Sequence, residues 1–187
     1  MTSQPKPSAL AQAIEAIEML ILETSDEARL LQTGAEILGR LVAQDDWLDP
    51  RFAQADASRY RQYLLHRDPD ARFSLVSFVW GPGQATPIHD HTVWGLVAML
   101  RGSEYAQPYV LDADGLRTAG PVQRLEPGDV EAVSPRIGDI HRVWNAYDDR
   151  VSISIHLYGA DIGAVSRHTY DASGAAKTFI SGYSELS

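Results

Sequence analysis

From residue 72 onward the chain is built of short bursts. FSLVSFVWG, WGLVAML, AQPYVLD, VEAVSP, HRVWNAY and VSISIHLYG are runs rich in Val, Ile, Tyr, Phe and Trp, and GPG, RGSE, DADG, EPGD and RIGD separate them. Residues branched or aromatic at Cβ fit a pleated, half-buried surface, whereas Gly, Pro and Asp supply the backbone conformations of turns. This spacing predicts an antiparallel β sandwich or barrel. Ahead of it, from about Ser8 to Leu65, apolar residues recur at helical spacing. Leu10, Ile14, Ile17, Leu20 and Ile21 form one stripe; Leu30, Leu31, Ile37, Leu38 and Leu41 form the next. Two amphipathic helices are expected, the second capped by Ser25 ahead of Asp26 and Glu27. A third is expected around Ser58 to Leu65, ending at RDPD. The expected plan is one domain over residues 1–187, mostly β, with a helical segment at about 8–66 and a barrel with C-terminal extension at about 72–187.

Composition narrows the partners. With 44% hydrophobic and 22% charged residues in 187, the chain can bury a core of its own. Lys and Arg number 16 against 25 Asp and Glu, and the net charge of −9 disfavours nucleic acid, which needs a basic footprint. A small-molecule ligand is expected instead. Cysteine is absent, which removes disulfides, thiolate metal sites and a cysteine nucleophile. The start, MTSQPKPSALAQ, has no basic region followed by an apolar run, and no stretch approaches the length of a membrane span. A soluble, cytoplasmic protein is the expectation.

Two histidines stand one residue apart in TPIHDHTVWG. In an extended chain, residues two apart share a side, so His89 and His91 can converge on one point while Asp90 faces away. They are either metal ligands or polar residues on a solvated strand. Gly83 and Gly102 flank them as G-x5-H-x-H and a later turn, and PRIGDIHRVWN places Gly138 before His141 and Asn145 after it. These segments resemble the two histidine motifs of the cupin superfamily, whose double-stranded β-helix, a jelly-roll barrel, holds one metal ion in its mouth. The resemblance covers about residues 72–160. Where many cupins carry a glutamate ligand this chain has Gly95, so the implied ligand set is His89, His91 and His141. Three neutral imidazoles leave coordination positions open, and a structural zinc site would normally close its shell, so an open site points to catalysis. Imidazole suits Zn, Cu, Fe and Ni alike, so the triad alone does not choose the metal.

In VSISIHLYG, Val151, Ile153, Ile155 and Leu157 alternate with Ser152, Ser154, His156 and Tyr158. The polar set is either a wet strand face or a hydrogen-bonded row, in which the imidazole accepts from one hydroxyl and donates to the other. HDH, the later His141 and the S-x-H-x-Y row together, from about Gln62 to Arg167, resemble the thiol dioxygenases of the cysteine dioxygenase family. That resemblance implies Fe(II) held by three histidines, and O2 added to a small thiol to give a sulfinic acid. It also implies that Ser154 and His156 orient the phenol of Tyr158 at the site.

Two departures select a branch. Animal members carry a cysteine just past the HxH pair, cross-linked to the active-site tyrosine; here Gly95 stands in that neighbourhood. Animal members also hold the substrate carboxylate with an arginine where YRQYLLHRDP offers Gln62, and an amide cannot supply a guanidinium's bidentate charge. The bacterial 3-mercaptopropionate dioxygenases pair a glutamine here with an arginine after the S-x-H-x-Y strand, a position that Arg167 fits. The implied substrate is therefore a small thiol carboxylate, 3-mercaptopropionate ahead of cysteine, clamped by Arg167, Gln62 and Tyr158. A cysteine dioxygenase proper and a non-catalytic metal- or ligand-binding cupin stand as the alternatives. Trp94 and Trp144 are expected either to be plain barrel core, the commoner role of such aromatics, or to keep water from the site, with His66 on a solvated helix end, His168 on the surface, and Asp90 off the metal.

Overall fold

A computed structural model of the chain describes residues 8–186. The first stripe forms α1 (Ala9–Glu23), where the Ser8 side chain accepts from the Ala11 N–H. The second forms α2 (Glu27–Val42), capped by Asp26, whose carboxylate accepts from the Ala28 N–H. The expected cap, Ser25, lies one residue too early; Asp26 has the extended backbone and the acceptor that the free N–H groups need. No described helix is long and apolar enough to cross a membrane.

The strands follow as β1 (Arg61–Arg67), β2 (Ser74–Trp80), β3 (Ile88–His89) and β4 (Gly95–Arg101). Next come β5 (Glu104–Asp112), β6 (Gly115–Thr118), β7 (Gln123–Leu125) and β8 (Val130–Val133). The chain closes with β9 (Ile140–Asn145), β10 (Ser152–Tyr158), β11 (Arg167–Tyr170) and β12 (Ala176–Phe179). They make two antiparallel sheets. One runs β1-β2-β10-β4-β8; the other runs β12-β11-β3-β9-β5-β6, with β7 also on β5. This is the cupin jelly roll, carrying two helices ahead of the barrel.

The third expected helix is a strand. Residues 61–67 pair with β2 as β1, with Gln62 opposite Phe78 and Tyr63 opposite Ser77, so the α-helices end at Val42, a single 3-10 turn follows at Pro50–Phe52, and no helix reaches residue 66. A short apolar run such as YLL carries no decisive period; here the unpaired edge of β2 claims its backbone. The same pairing brings His66 off the expected helix end and onto β1, where its ring packs on Phe73 at 5.3 Å.

The first sheet is covered on both faces. Ile17, Leu20, Ile37, Leu38 and Leu41 of the helices pack on Leu75, Val79, Leu96, Ile153, Ile155 and Leu157. Each such side chain contributes about 1.5–3 kcal/mol on burial, which holds the helical layer to the barrel. Gly34 marks a close approach of helix and sheet, since a Cβ there would lie 2.8 Å from Leu96 Cδ1. The other face of the same strands turns inward. Val76, Phe78, Trp80, Val97, Met99 and Tyr158 meet Ala106, Leu125 and Val143 of the second sheet inside the barrel. All seven residues of β10 are therefore buried, and its polar alternate set lies in the interior, not in water.

Candidate active site

Strand pairing assembles the three histidines. His89 on β3 lies directly opposite His141 on β9, and His91 follows two residues on. Their ring centroids are 4.8–4.9 Å apart, and one nitrogen from each lies within 4.8 Å of the others. All three are buried. Burial, reinforced by its neighbour His91, pushes the His89 imidazole down to about 3, and burial holds His141 well below its ordinary value as well. Neutral imidazoles are the form a metal requires.

The ring orientations are set from behind. His89 Nδ1 lies 3.1 Å from the Pro87 carbonyl, and His91 Nδ1 lies 3.0 Å from Asp139 Oδ1. With Nδ1–H committed to those acceptors, Nε2 is the free lone pair on both rings. Asp139 also accepts from the His91 and Thr92 backbone N–H groups. Burial raises its carboxyl, but these hydrogen bonds outweigh it and bring Asp139 below the usual range. Thr92 adopts φ 60°, a conformation that costs a β-branched residue of order 1–3 kcal/mol and that turns its N–H onto Asp139. In the sequence Asp139 was legible only as the last letter of the turn RIGD; its role depends on a loop meeting the residue after β3.

The Ser-His-Tyr row is continuous. Ser154 Oγ lies 2.8 Å from His156 Nε2, and His156 Nδ1 lies 2.8 Å from the Tyr158 hydroxyl. The imidazole stacks on Phe78 at 4.1 Å, and the phenol stacks on His91 at 5.5 Å. Burial drives His156 well below its ordinary value and raises Tyr158, so both are neutral near pH 7. Gly95 lies opposite Tyr158 in the β4–β10 ladder, and a Cβ there would sit 2.7 Å from Tyr158 Cδ1. Any side chain at this position would meet the phenol ring first.

Triad and row open into one cavity of about 310 Å³. Arg167, at the start of β11, lines it while buried; its Cζ lies 4.7 Å over the Phe179 ring and one Nη donates to Ser181 Oγ. Its Nε has no hydrogen-bond partner. Gln62 also lines the cavity, but its amide N–H donates to the Gly182 carbonyl at 2.9 Å. The Gln62 carbonyl accepts from the Ser184 N–H and the Gln62 N–H donates to the Ser184 hydroxyl, which ties the C-terminal segment to β1 as well. Gln62 thus lines the cavity with one amide hydrogen already engaged.

Other aromatics than the two expected line the cavity. Trp94 and Trp144 are not part of the cavity wall; Trp144 lies against Tyr105 at 5.5 Å, and Trp94 crowds Gly159. Tyr60, Phe78, Trp80 and Phe179 form the wall instead. Alternation decides this, because Trp94 precedes β4 and Trp144 occupies the outward phase of β9, between inward Val143 and Asn145. Asp90 faces away from the triad and accepts from the His168 backbone N–H and the Tyr170 hydroxyl. His168 is held against that carboxylate at 2.9 Å and does not line the cavity.

Comparison with known proteins follows the same outline. The chain is 25% identical to cysteine dioxygenase type 1 of Danio rerio over 162 residues, covering 84% of this chain and 77% of that one. It is 26% identical to the Homo sapiens protein of the same name over 158 residues, with 82% and 75% covered. Among solved structures it is similar to a conserved protein with a double-stranded beta-helix domain from Klebsiella pneumoniae, with a TM-score of 0.48 and 14% identity. That match covers 74% of this chain and 98% of the other. The family model described as cysteine dioxygenase type I matches residues 1–172, and the chain belongs to that family.

Proposed function

We propose that this protein is a non-haem iron thiol dioxygenase that converts a small thiol carboxylate, 3-mercaptopropionate foremost, to its sulfinic acid with O2. The observation that carries the reading is a buried, neutral histidine triad sharing one cavity with a buried guanidinium and an oriented phenol. The donor set fits the metal: His89, His91 and His141 offer three neutral nitrogens with no carboxylate among them, and Asp139 and Pro87 fix two of the rings. When bound there, ferrous iron would supply the site that joins a thiolate and O2, which do not react directly.

The chain's own residues do the remaining work. Arg167 binds the carboxylate through a charge-assisted pair, its guanidinium lining the cavity. Placing the carboxylate in this way sets the thiol at the triad end of the cavity. Tyr158 hydrogen-bonds at the reacting end, oriented through His156 and Ser154. Phe78, Trp80 and Phe179 exclude water, which strengthens each of these polar contacts.

The charge of the cavity wall supports this choice of substrate. The cavity wall carries Arg167 and Lys177 and, among the described residues, no carboxylate. The ammonium of cysteine would find no anionic partner there, whereas 3-mercaptopropionate has no amine. The second reading, cysteine as substrate, is favoured by the name of the animal relatives. O2 uptake by the iron-loaded protein with 3-mercaptopropionate, cysteine and cysteamine tests both. The highest kcat/KM is expected with 3-mercaptopropionate and the lowest with cysteamine, which has no carboxylate. Uptake with none of the three at full iron occupancy would refute the dioxygenase reading.

A further inference from the structure

Glu104 is a buried acid to which the chemistry above gives no task. It stands at the start of β5 and is 1% exposed. Its carboxyl faces the Ser154 hydroxyl and the Trp80 indole N–H, yet neither oxygen completes a hydrogen bond of ordinary geometry. It borders a void of about 10 Å³, the lower limit for a single water, shared with Glu131. Glu131 is the charge that acts on it, and it has the same sign.

We infer that Glu104 sets the direction in which the hydrogen bonds run along Ser154, His156 and Tyr158, so that the phenol presents its own hydrogen to the cavity. The inference rests on the dioxygenase reading only for what that hydrogen is used for. Counting donors and acceptors gives the rest. Ser154 Oγ has two lone pairs and one hydrogen, and the Trp80 N–H, a donor only, takes one lone pair at 3.3 Å. What remains is one acceptor position and one hydrogen, to be divided between His156 Nε2 and Glu104.

An ionised Glu104 can only accept. Ser154 would then donate to Glu104 and accept from an Nε2–H, the bare Nδ1 of a neutral His156 would accept from Tyr158, and the phenol hydrogen would be consumed. Only a neutral Glu104 can donate, and its donation to Ser154 opens the opposite order. Its O–H takes the lone pair of Ser154, Ser154 donates to Nε2, Nδ1–H donates to the phenol oxygen, and the Tyr158 hydrogen is left for the cavity. Burial with no counter-charge favours the neutral form, because an isolated carboxylate at such a depth neutralises instead of staying charged. In keeping with this, burial pushes the Glu104 carboxyl up to about 8. Glu104 is thus a positioning residue acting through two others.

The His156 tautomer reads this directly. Long-range proton–nitrogen correlation on the full-length protein, labelled at histidine nitrogen and loaded with diamagnetic Zn(II), is expected to show hydrogen on Nδ1. Glu104→Gln, whose amide N–H can replace the acid as donor to Ser154, should keep that tautomer. Glu104→Leu should release it, raising the Nε2–H form about tenfold relative to Nδ1–H, the effect of one lost hydrogen bond. In the iron-loaded enzyme the same substitution should lower kcat about tenfold relative to Glu104→Gln at unchanged metal content. A wild-type spectrum with hydrogen on Nε2 would overturn the inference, as would an unchanged tautomer in Glu104→Leu. If the leucine variant does not fold, the wild-type and glutamine spectra still decide. The tautomer is read without turnover, so a failure of the inference about Glu104 is distinguishable from a failure of the dioxygenase reading, which O2 uptake tests.

Discussion

Replacing Gly95 with alanine sets a methyl group against the phenol of Tyr158. The new Cβ would lie 2.7 Å from Cδ1 and 3.0 Å from Cε1 of that ring, and 3.3 Å from the Leu157 carbonyl oxygen. Carbon atoms pack at roughly 3.5–4.0 Å, so the ring must retreat by about 1 Å. It cannot do so freely, since it is stacked on His91 and held by the 2.8 Å bond to His156 Nδ1. A retreat of that size takes the bond beyond the ~3.2 Å limit of a good hydrogen bond. Overpacking costs about 1–3 kcal/mol and the strained bond about 1 kcal/mol more, which for a chain of this size lowers Tm by roughly 4–16 °C. The backbone at Gly95 is not in the left-handed region, so the penalty is steric. Gly83→Ala is the matching control: φ is +67° there and a Cβ meets nothing within 4 Å, so only a conformational cost of about 1–2 kcal/mol applies. Thermal melts, metal content and O2 uptake are measured on both variants. Gly95→Ala is expected to melt lower and to lose about tenfold or more in kcat while retaining iron, and Gly83→Ala to show only the modest melting shift. A Gly95→Ala protein with wild-type Tm and turnover would refute the placement of Tyr158.

Three further outcomes are expected. Tyr158→Phe should keep its metal, read by elemental analysis, while kcat falls about tenfold, because one hydrogen bond at the reacting end is lost. Asp139→Asn should weaken metal binding about 10–100-fold in a chelator competition, since a neutral amide holds the His91 ring less firmly and cannot also accept from the Thr92 N–H. Asp68 is held at about 2, chiefly by the hydrogen bond from Arg72, against an ordinary 3.8. Its stabilising contribution is therefore complete above about pH 4 and is lost as the pH falls toward 2. Asp68→Asn should lower the urea midpoint at pH 7 and flatten its dependence on pH across that window.

The two helical stripes were readable because each buries one face, and the six β-rich bursts because branched and aromatic residues stand between turn residues, even where β2, β4 and β10 are buried on both faces. HDH and the S-x-H-x-Y row were readable because residues two apart on a strand must share a side. Their composition, with no cysteine and with Gly95 beside the phenol, also belongs to the chain alone. What local pattern could not carry was pairing. Residues 61–67 became β1 because β2 had an unpaired edge, and only that pairing turned Gln62 toward the cavity and Tyr63 toward the helices. The same limit applies to Asp139, 48 residues from the histidine it holds, and to Glu104, whose neighbours Trp80 and Ser154 lie on other strands. It applies to the two tryptophans, Trp94 lying just ahead of β4 and Trp144 on the outward phase of β9, neither of them in the cavity wall. Periodicity records which face of a segment is buried, whereas a site is made by which faces meet, and closing the barrel decides that.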